Sequence, residues 1–163
     1  MKLWEIGKLL HGGDYNVDQW LDRPDILAED IRLMKLAGVN VVSLCIFSWS
    51  SLEPEEGVYT FEWLDEVMDS MYKNGIYVIL ATPSAGKPPW LIKKYPDIMR
   101  TREHRQRLLY GERENHCNSN KIFREKLCRI DEKLAERYAN HPALILWHIS
   151  NEMYGICHCE TCH

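Results

Sequence analysis

The chain has 163 residues, 45% of them hydrophobic and 27% charged, a balance that supports one packed domain and excludes a disordered tail or a collagen-like fibre. Lys and Arg number 20 against 24 Asp and Glu, so the net charge is −4, and no basic run offers a surface for nucleic acid. The opening MKLWEIGKLL is interrupted by Glu5 and Lys8, unlike a secretory leader, and no apolar run approaches the ~18 residues of a membrane span, so the expectation is a cytoplasmic protein without a membrane partner.

The first strand is predicted over 8–15, opening into Gly12-Gly13-Asp14. A helix follows over 25–37, with Leu27, Ile31 and Met34 on one face, Pro24 near its start and Gly38 as its left-handed stop. Residues 39–47 (VNVVSLCIF) are rich in β-branched side chains and read as a strand buried on both faces. The second helix spans 61–74, its stripe made by Phe61, Leu64, Met68 and Met71, with acids near its start and Lys73 near its end as the helix dipole favours. The third strand covers 76–81. A long connection then runs from Ser84 to about Asn118 and holds PPWLIKKYP, a short helix between prolines. The third long helix covers 119–139, and ALILWHIS (143–150) is the fourth strand.

Strands alternating with single helices indicate a parallel α/β fold. A doubly wound sheet would carry a glycine-rich phosphate turn, and Gly12-Gly13 is too short to be one. A (β/α)8 TIM barrel places polar functional residues after the strands, as Asp14-Tyr15-Asn16, Ser48-Trp49-Ser50, Thr82-Pro83-Ser84 and Asn151-Glu152 are placed here. The barrel is the favoured reading. It needs ~250 residues and eight strands, so residues 1–163 are expected to be the N-terminal portion of such a catalytic domain, about its first half (β1-α1-β2-α2-β3-α3-β4), in a truncated chain.

Glu152 follows a buried strand beside the amide of Asn151. A carboxyl so placed suits proton transfer to a sugar's leaving oxygen; the alternative is an acid satisfied by a helix N-terminus. Cys157-x-Cys159-x-x-Cys162 together with Cys117 supplies four thiols, which match a closed structural zinc site, the alternative being a cluster of free thiols. His116, His158 and His163 stand nearby as possible substitutes, each more often a surface residue. Cys45 and Cys128 lie in apolar-periodic stretches and are expected to be buried. Trp20, Trp49, Trp90 and Trp147 end apolar runs and are read either as sugar platforms or as core. Glu53, Glu55 and Glu56 read as a solvated acidic loop, and Arg113 as a loop arginine able to bind sugar hydroxyls or orient an acid.

These stretches, HGGDYNVDQW (11–20), GVNVVSLCIFSWSSLEPEEGVYTFEWLD (38–65), NGIYVILATPSAGKPPWL (74–91) and HPALILWHISNE (141–152), resemble the N-terminal part of the glycoside hydrolase family 42 β-galactosidases. The resemblance implies a (β/α)8 domain that hydrolyses terminal β-D-galactosides with retention, with Glu152 as proton donor and Asn151 and Arg113 as substrate-binding residues. It implies structural zinc on Cys117, Cys157, Cys159 and Cys162, and a homotrimer for the full-length protein. Val17, Cys45 and Asn118-Ser119-Asn120 depart from the family's usual proline, small residue and Pro-Asn-Ser-Pro. The family's nucleophilic glutamate has no counterpart in residues 1–163, so this chain alone is expected to be inactive. Two other readings stand beside this one: another retaining glycosidase of the same clan, and a non-catalytic sugar- or zinc-binding fragment.

Overall fold

The computed structural model describes residues 6–163; part of the opening segment read against a leader, residues 1–5, lies outside them. In chain order the elements are β1 (Gly12–Tyr15), α1 (Pro24–Leu36), β2 (Val41–Leu44), α2 (Trp49–Leu52), α3 (Glu62–Lys73), β3 (Tyr77–Ala81), α4 (Pro89–Lys94), α5 (Lys121–Tyr138) and β4 (Leu144–His148). Single 3-10 turns cover Val17–Trp20, Pro96–Ile98 and Glu160–Cys162. The strands form one parallel sheet in the order β1-β2-β3-β4. No helix among the described residues is long and apolar enough to cross a membrane.

Each expected strand and helix is present, with shorter bounds except for α1, which keeps its length and starts one residue earlier. β2 stops at Leu44 because Cys45 takes a left-handed conformation (φ 69°), and residues 45–48 turn directly into α2, an element the sequence pattern did not announce. The helix between prolines is α4. Gly12 lets β1 approach β2: a Cβ there would lie 1.6 Å from the Val41 carbonyl oxygen, so no larger residue fits without moving the strand. Burial is uneven. β2 and β3 are largely buried, β1 is mostly exposed, and β4 is intermediate, with Leu146 outward. The expectation of two-sided burial therefore holds for the two central strands and fails at the edges, where each strand has one neighbour.

The core joins the sheet to the helices. Leu64, Val67, Met68 and Met71 of α3 and Phe123, Ile130, Leu134 and Tyr138 of α5 pack with Val42, Leu44, Val78 and Leu80. α5 begins at Asn120, whose side-chain oxygen accepts from the Phe123 amide at 3.1 Å, an N-cap. Near its end Tyr138 donates to Asp65 at 2.8 Å, and Arg137 ion-pairs with the same carboxylate, which links α5 to α3. The Arg137 hydrogen bond holds the Asp65 carboxyl below the usual carboxylate range.

Two readings need correction. Glu53 is buried: its carboxylate accepts from Trp49 Nε1 at 2.7 Å and from the Gly57 amide at 2.8 Å, closing the turn after α2. Glu56 is tied to Lys94 and Lys126, and these bonds pull its carboxyl down to about 2. Glu53 and Glu56 are thus anchors, within the turn after α2 and from that turn to α4 and α5, while Glu55 between them is exposed as expected. Cys128 is exposed, since it lies off the face of α5 that carries Phe123, Ile130 and Leu134, whereas Cys45 is buried as expected.

Asp131, on α5, has a buried Oδ1 without a hydrogen-bond partner, and burial pushes its carboxyl up to about 7. The folded state holds this proton more tightly than the unfolded one, so the group costs stability progressively as pH rises from about 4 towards 7. The isosteric Asp131→Asn variant is expected to raise the urea midpoint at pH 8 and to leave it nearly unchanged at pH 4. Equal shifts at both pH values would contradict this.

Candidate active site

A parallel sheet brings all strand C-terminal ends to one edge, and the candidate residues gather there. β4 ends at His148, and the chain turns through Ser150 (φ 60°) to Asn151 and Glu152 (φ 46°). Two left-handed non-glycine residues flank Asn151, a backbone strain of the kind that accumulates at functional sites. Arg113 comes from the long connection between β3 and α5. Its Nη2 stands 2.6 Å from Glu152 Oε2, and its guanidinium lies 5.5 Å from the centre of the Phe47 ring, after β2. Both side chains remain more than half exposed, at 54% for Arg113 and 59% for Glu152. The structure therefore brings together two of the residues singled out by sequence, from loops 39 positions apart, on an open face that a ligand can reach. Asn151, next to them, is half-buried.

Beneath Arg113 lies a buried polar group that sequence reasoning missed. Lys87, Glu114, Asn115 and His116 are all buried. Glu114, itself left-handed (φ 54°), has its Oε2 3.7 Å from His116 Nε2. Burial pulls the Lys87 ammonium down to about 8 and pushes the Glu114 carboxyl up, while their mutual attraction opposes both shifts. Burial also keeps His116 neutral, near 3, and its ring stacks on Phe123 with centroids 3.9 Å apart. His116 is thus a core residue, contrary to the surface reading. The visible signal was Lys87, a lone lysine within the small and apolar run PSAGKPPW. Gly86 allows that run to sit against β2's exit, where a Cβ would lie 2.4 Å from the Phe47 carbonyl oxygen.

The four thiols also converge. The sulfurs of Cys117, Cys157, Cys159 and Cys162 all lie within 4.8 Å of one another, with Cys117 3.4 Å from Cys162 and 3.7 Å from Cys159. Four sulfurs at ~2.3 Å from a tetrahedral zinc would be about 3.8 Å apart, so this donor set fits that ion. No histidine belongs to the cluster; His158 and His163 face each other with ring centroids 5.6 Å apart. The cluster ties the segment after β4 to the β3–α5 connection, a tie reinforced by the His158 amide, which donates to the Thr101 carbonyl at 2.8 Å.

The tryptophans differ in burial. Trp49 is fully buried, Trp90 and Trp147 are half-buried, and Trp20 is exposed. Trp90 Nε1 donates to the Glu53 carbonyl at 2.8 Å, a structural use.

The family model described as β-galactosidase, that of glycoside hydrolase family 42, matches residues 14–163. A β-galactosidase of Clostridium perfringens is 61% identical over 158 residues, 97% of this chain and 23% of that enzyme. A β-galactosidase of Bacillus subtilis is 58% identical, with 94% of this chain and 23% of that enzyme covered. The crystal structure of a β-galactosidase from Rahnella sp. R3 superposes with a TM-score of 0.95 at 54% identity, covering 97% of this chain and 23% of that one. The chain thus spans about a quarter of the length of these relatives, and its sheet corresponds to the first half of their TIM barrel. On this match the chain belongs to glycoside hydrolase family 42, the β-galactosidases.

Proposed function

We propose that the protein carrying this chain hydrolyses terminal β-D-galactosides with retention of configuration, and that Glu152 is its proton donor. The observation that carries the reading is the Glu152–Arg113 pair at the C-terminal edge of the sheet, with Asn151 beside it. The carboxyl delivers a proton to the glycosidic oxygen as the bond to the sugar breaks, then accepts one from the water that completes hydrolysis. Arg113 and the Asn151 amide offer N–H groups to sugar hydroxyls. A bound sugar competes with Glu152 for Arg113, which frees the carboxyl to face the glycosidic oxygen.

Retention needs a second carboxyl ~5–5.5 Å from the first. Glu114 is close enough to feel the charge of Glu152, but its side chain is 1% exposed and directed to His116, with no surface for an anomeric carbon. Asp14 is exposed on β1, two strands removed from β4's neighbour β3. The nucleophile is therefore assigned outside residues 1–163. The purified 163-residue chain is expected to leave a nitrophenyl β-galactoside intact. The full natural polypeptide that contains it is expected to turn the substrate over and to lose on the order of 10²–10⁴-fold in rate in Glu152→Gln. Turnover by the 163-residue chain, or full activity in Glu152→Gln, would overturn these assignments.

We further propose that Cys117, Cys157, Cys159 and Cys162 hold a structural zinc ion. Support comes from the sulfur spacing and from the position of the cluster, which joins the loop bearing Arg113 to the segment following Glu152. Hydrogen bonding among the thiols pulls Cys159 down while burial pushes Cys117 and Cys157 up, so binding of a cation would have to displace protons from the cluster. Elemental analysis of protein purified without chelator is expected to give one zinc per chain. Cys162→Ser is expected to lose the metal and lower the melting temperature. A metal-free protein with an unchanged melting temperature in this variant would contradict the proposal.

A further inference from the structure

The last residue pair of the β3–β4 ladder is Ala81 with His148, and beyond it one backbone bond and several side-chain contacts join the two strand ends. The Thr82 amide donates to the His148 carbonyl at 3.0 Å. Thr82 Oγ1 accepts from the Ser150 amide at 2.7 Å and also lies 3.5 Å from the His148 carbonyl. The Ser84 and Ser150 hydroxyls are 2.6 Å apart. Thr82 and Ser84 are both buried. These contacts fasten the step at which the chain turns left-handed, two residues before Glu152. Upstream, the β3–β4 register slips between Val78 and Ile79, where Ile145 of β4 is left without a partner; such a bulge re-aims the strand that follows it.

We infer that Thr82 and Ser84 are positioning residues for Glu152: their hydroxyls hold Ser150 in the left-handed turn that directs the carboxyl toward Arg113. The inference rests on the reading of Glu152 as proton donor. Neither hydroxyl touches Glu152 or Arg113 among the hydrogen bonds of the described residues, so their effect passes through the backbone of Ser150. Without the Thr82 hydroxyl, the half-buried Ser150 amide loses its acceptor and the turn loses the contact that selects it.

The leaving group separates this role from general damage. Phenoxide departs from galactose only if the oxygen receives a proton as the C1–O bond breaks. Dinitrophenolate departs as an anion and needs none. The ratio kcat/KM reports only steps up to the first bond cleavage, so the later use of Glu152 as a base does not enter.

In the full natural polypeptide, Thr82→Val and Ser84→Ala are expected to lower kcat/KM for phenyl β-galactoside on the order of tenfold to a hundredfold, as misplacement of a catalytic group does. For 2,4-dinitrophenyl β-galactoside the same variants are expected to change kcat/KM by less than about threefold, the factor of an intact sugar site. Thr82→Ser, which keeps the hydroxyl, is expected to restore the phenyl galactoside rate. Ser84→Ala keeps the test open if Thr82→Val fails to fold. Equal losses on both substrates, or no loss on either, would overturn the inference. Hydrolysis of neither substrate by the unmodified protein would overturn the galactosidase reading, and this inference with it.

Discussion

The parallel pairing of four strands is the constraint on which the rest depends. Tyr15 pairs with Leu44, Leu44 with Leu80, and Ala81 with His148, so all four strands deliver their following segments to one edge. Arg113, Lys87, Glu152 and the four cysteines are separated widely in sequence yet meet at this edge because of that alignment. A one-residue slip in a strand would exchange its faces and carry its exit away from its neighbours. The register is in turn held by the packing of α3 and α5 on β2 and β3, and by the close approach of β1 to β2 that Gly12 permits.

The same edge is where the structure spends stability. Cys45, Glu114, Ser150 and Glu152 adopt left-handed conformations without being glycine, and each such residue costs of order 1–3 kcal/mol. Lys87, Glu114, Asn115 and His116 add buried atoms without hydrogen-bond partners. A core of fully buried leucines, methionines and aromatics offsets these costs from the far side of the sheet. Tight packing under a strained rim gives the side chains presented there a rigid backbone support.

Most of the scaffold was legible in the sequence. The 3.6-residue period gave every long helix, because α3 and α5 bury one clean face, and continuous apolar runs gave the central strands β2 and β3. The boundaries were less legible. Cys45 ends β2 three residues before the expected end, through a backbone conformation that residue identity does not announce. Glu152, Arg113 and the thiol cluster were found because their chemistry stands out locally. Their proximity was implied by resemblance and is visible as distance only in three dimensions. Glu53, Lys87, Glu114 and His116 were misread or missed because a charged residue in a loop is normally solvated, and each is buried here by elements distant in sequence. The Thr82–Ser150 tie was beyond sequence reading for the same reason, since its partners are 68 residues apart.

Azide rescue tests the role of Glu152 most directly. With Glu152→Ala in the full natural polypeptide and 2,4-dinitrophenyl β-galactoside as substrate, a galactosyl-enzyme forms without a proton donor, and azide enters on the face the missing carboxyl leaves open. The product expected is β-galactosyl azide, identified by its anomeric proton coupling, with the rate rising as azide is added. Formation of α-galactosyl azide would make Glu152 the nucleophile instead. A rate indifferent to azide would remove Glu152 from the reaction.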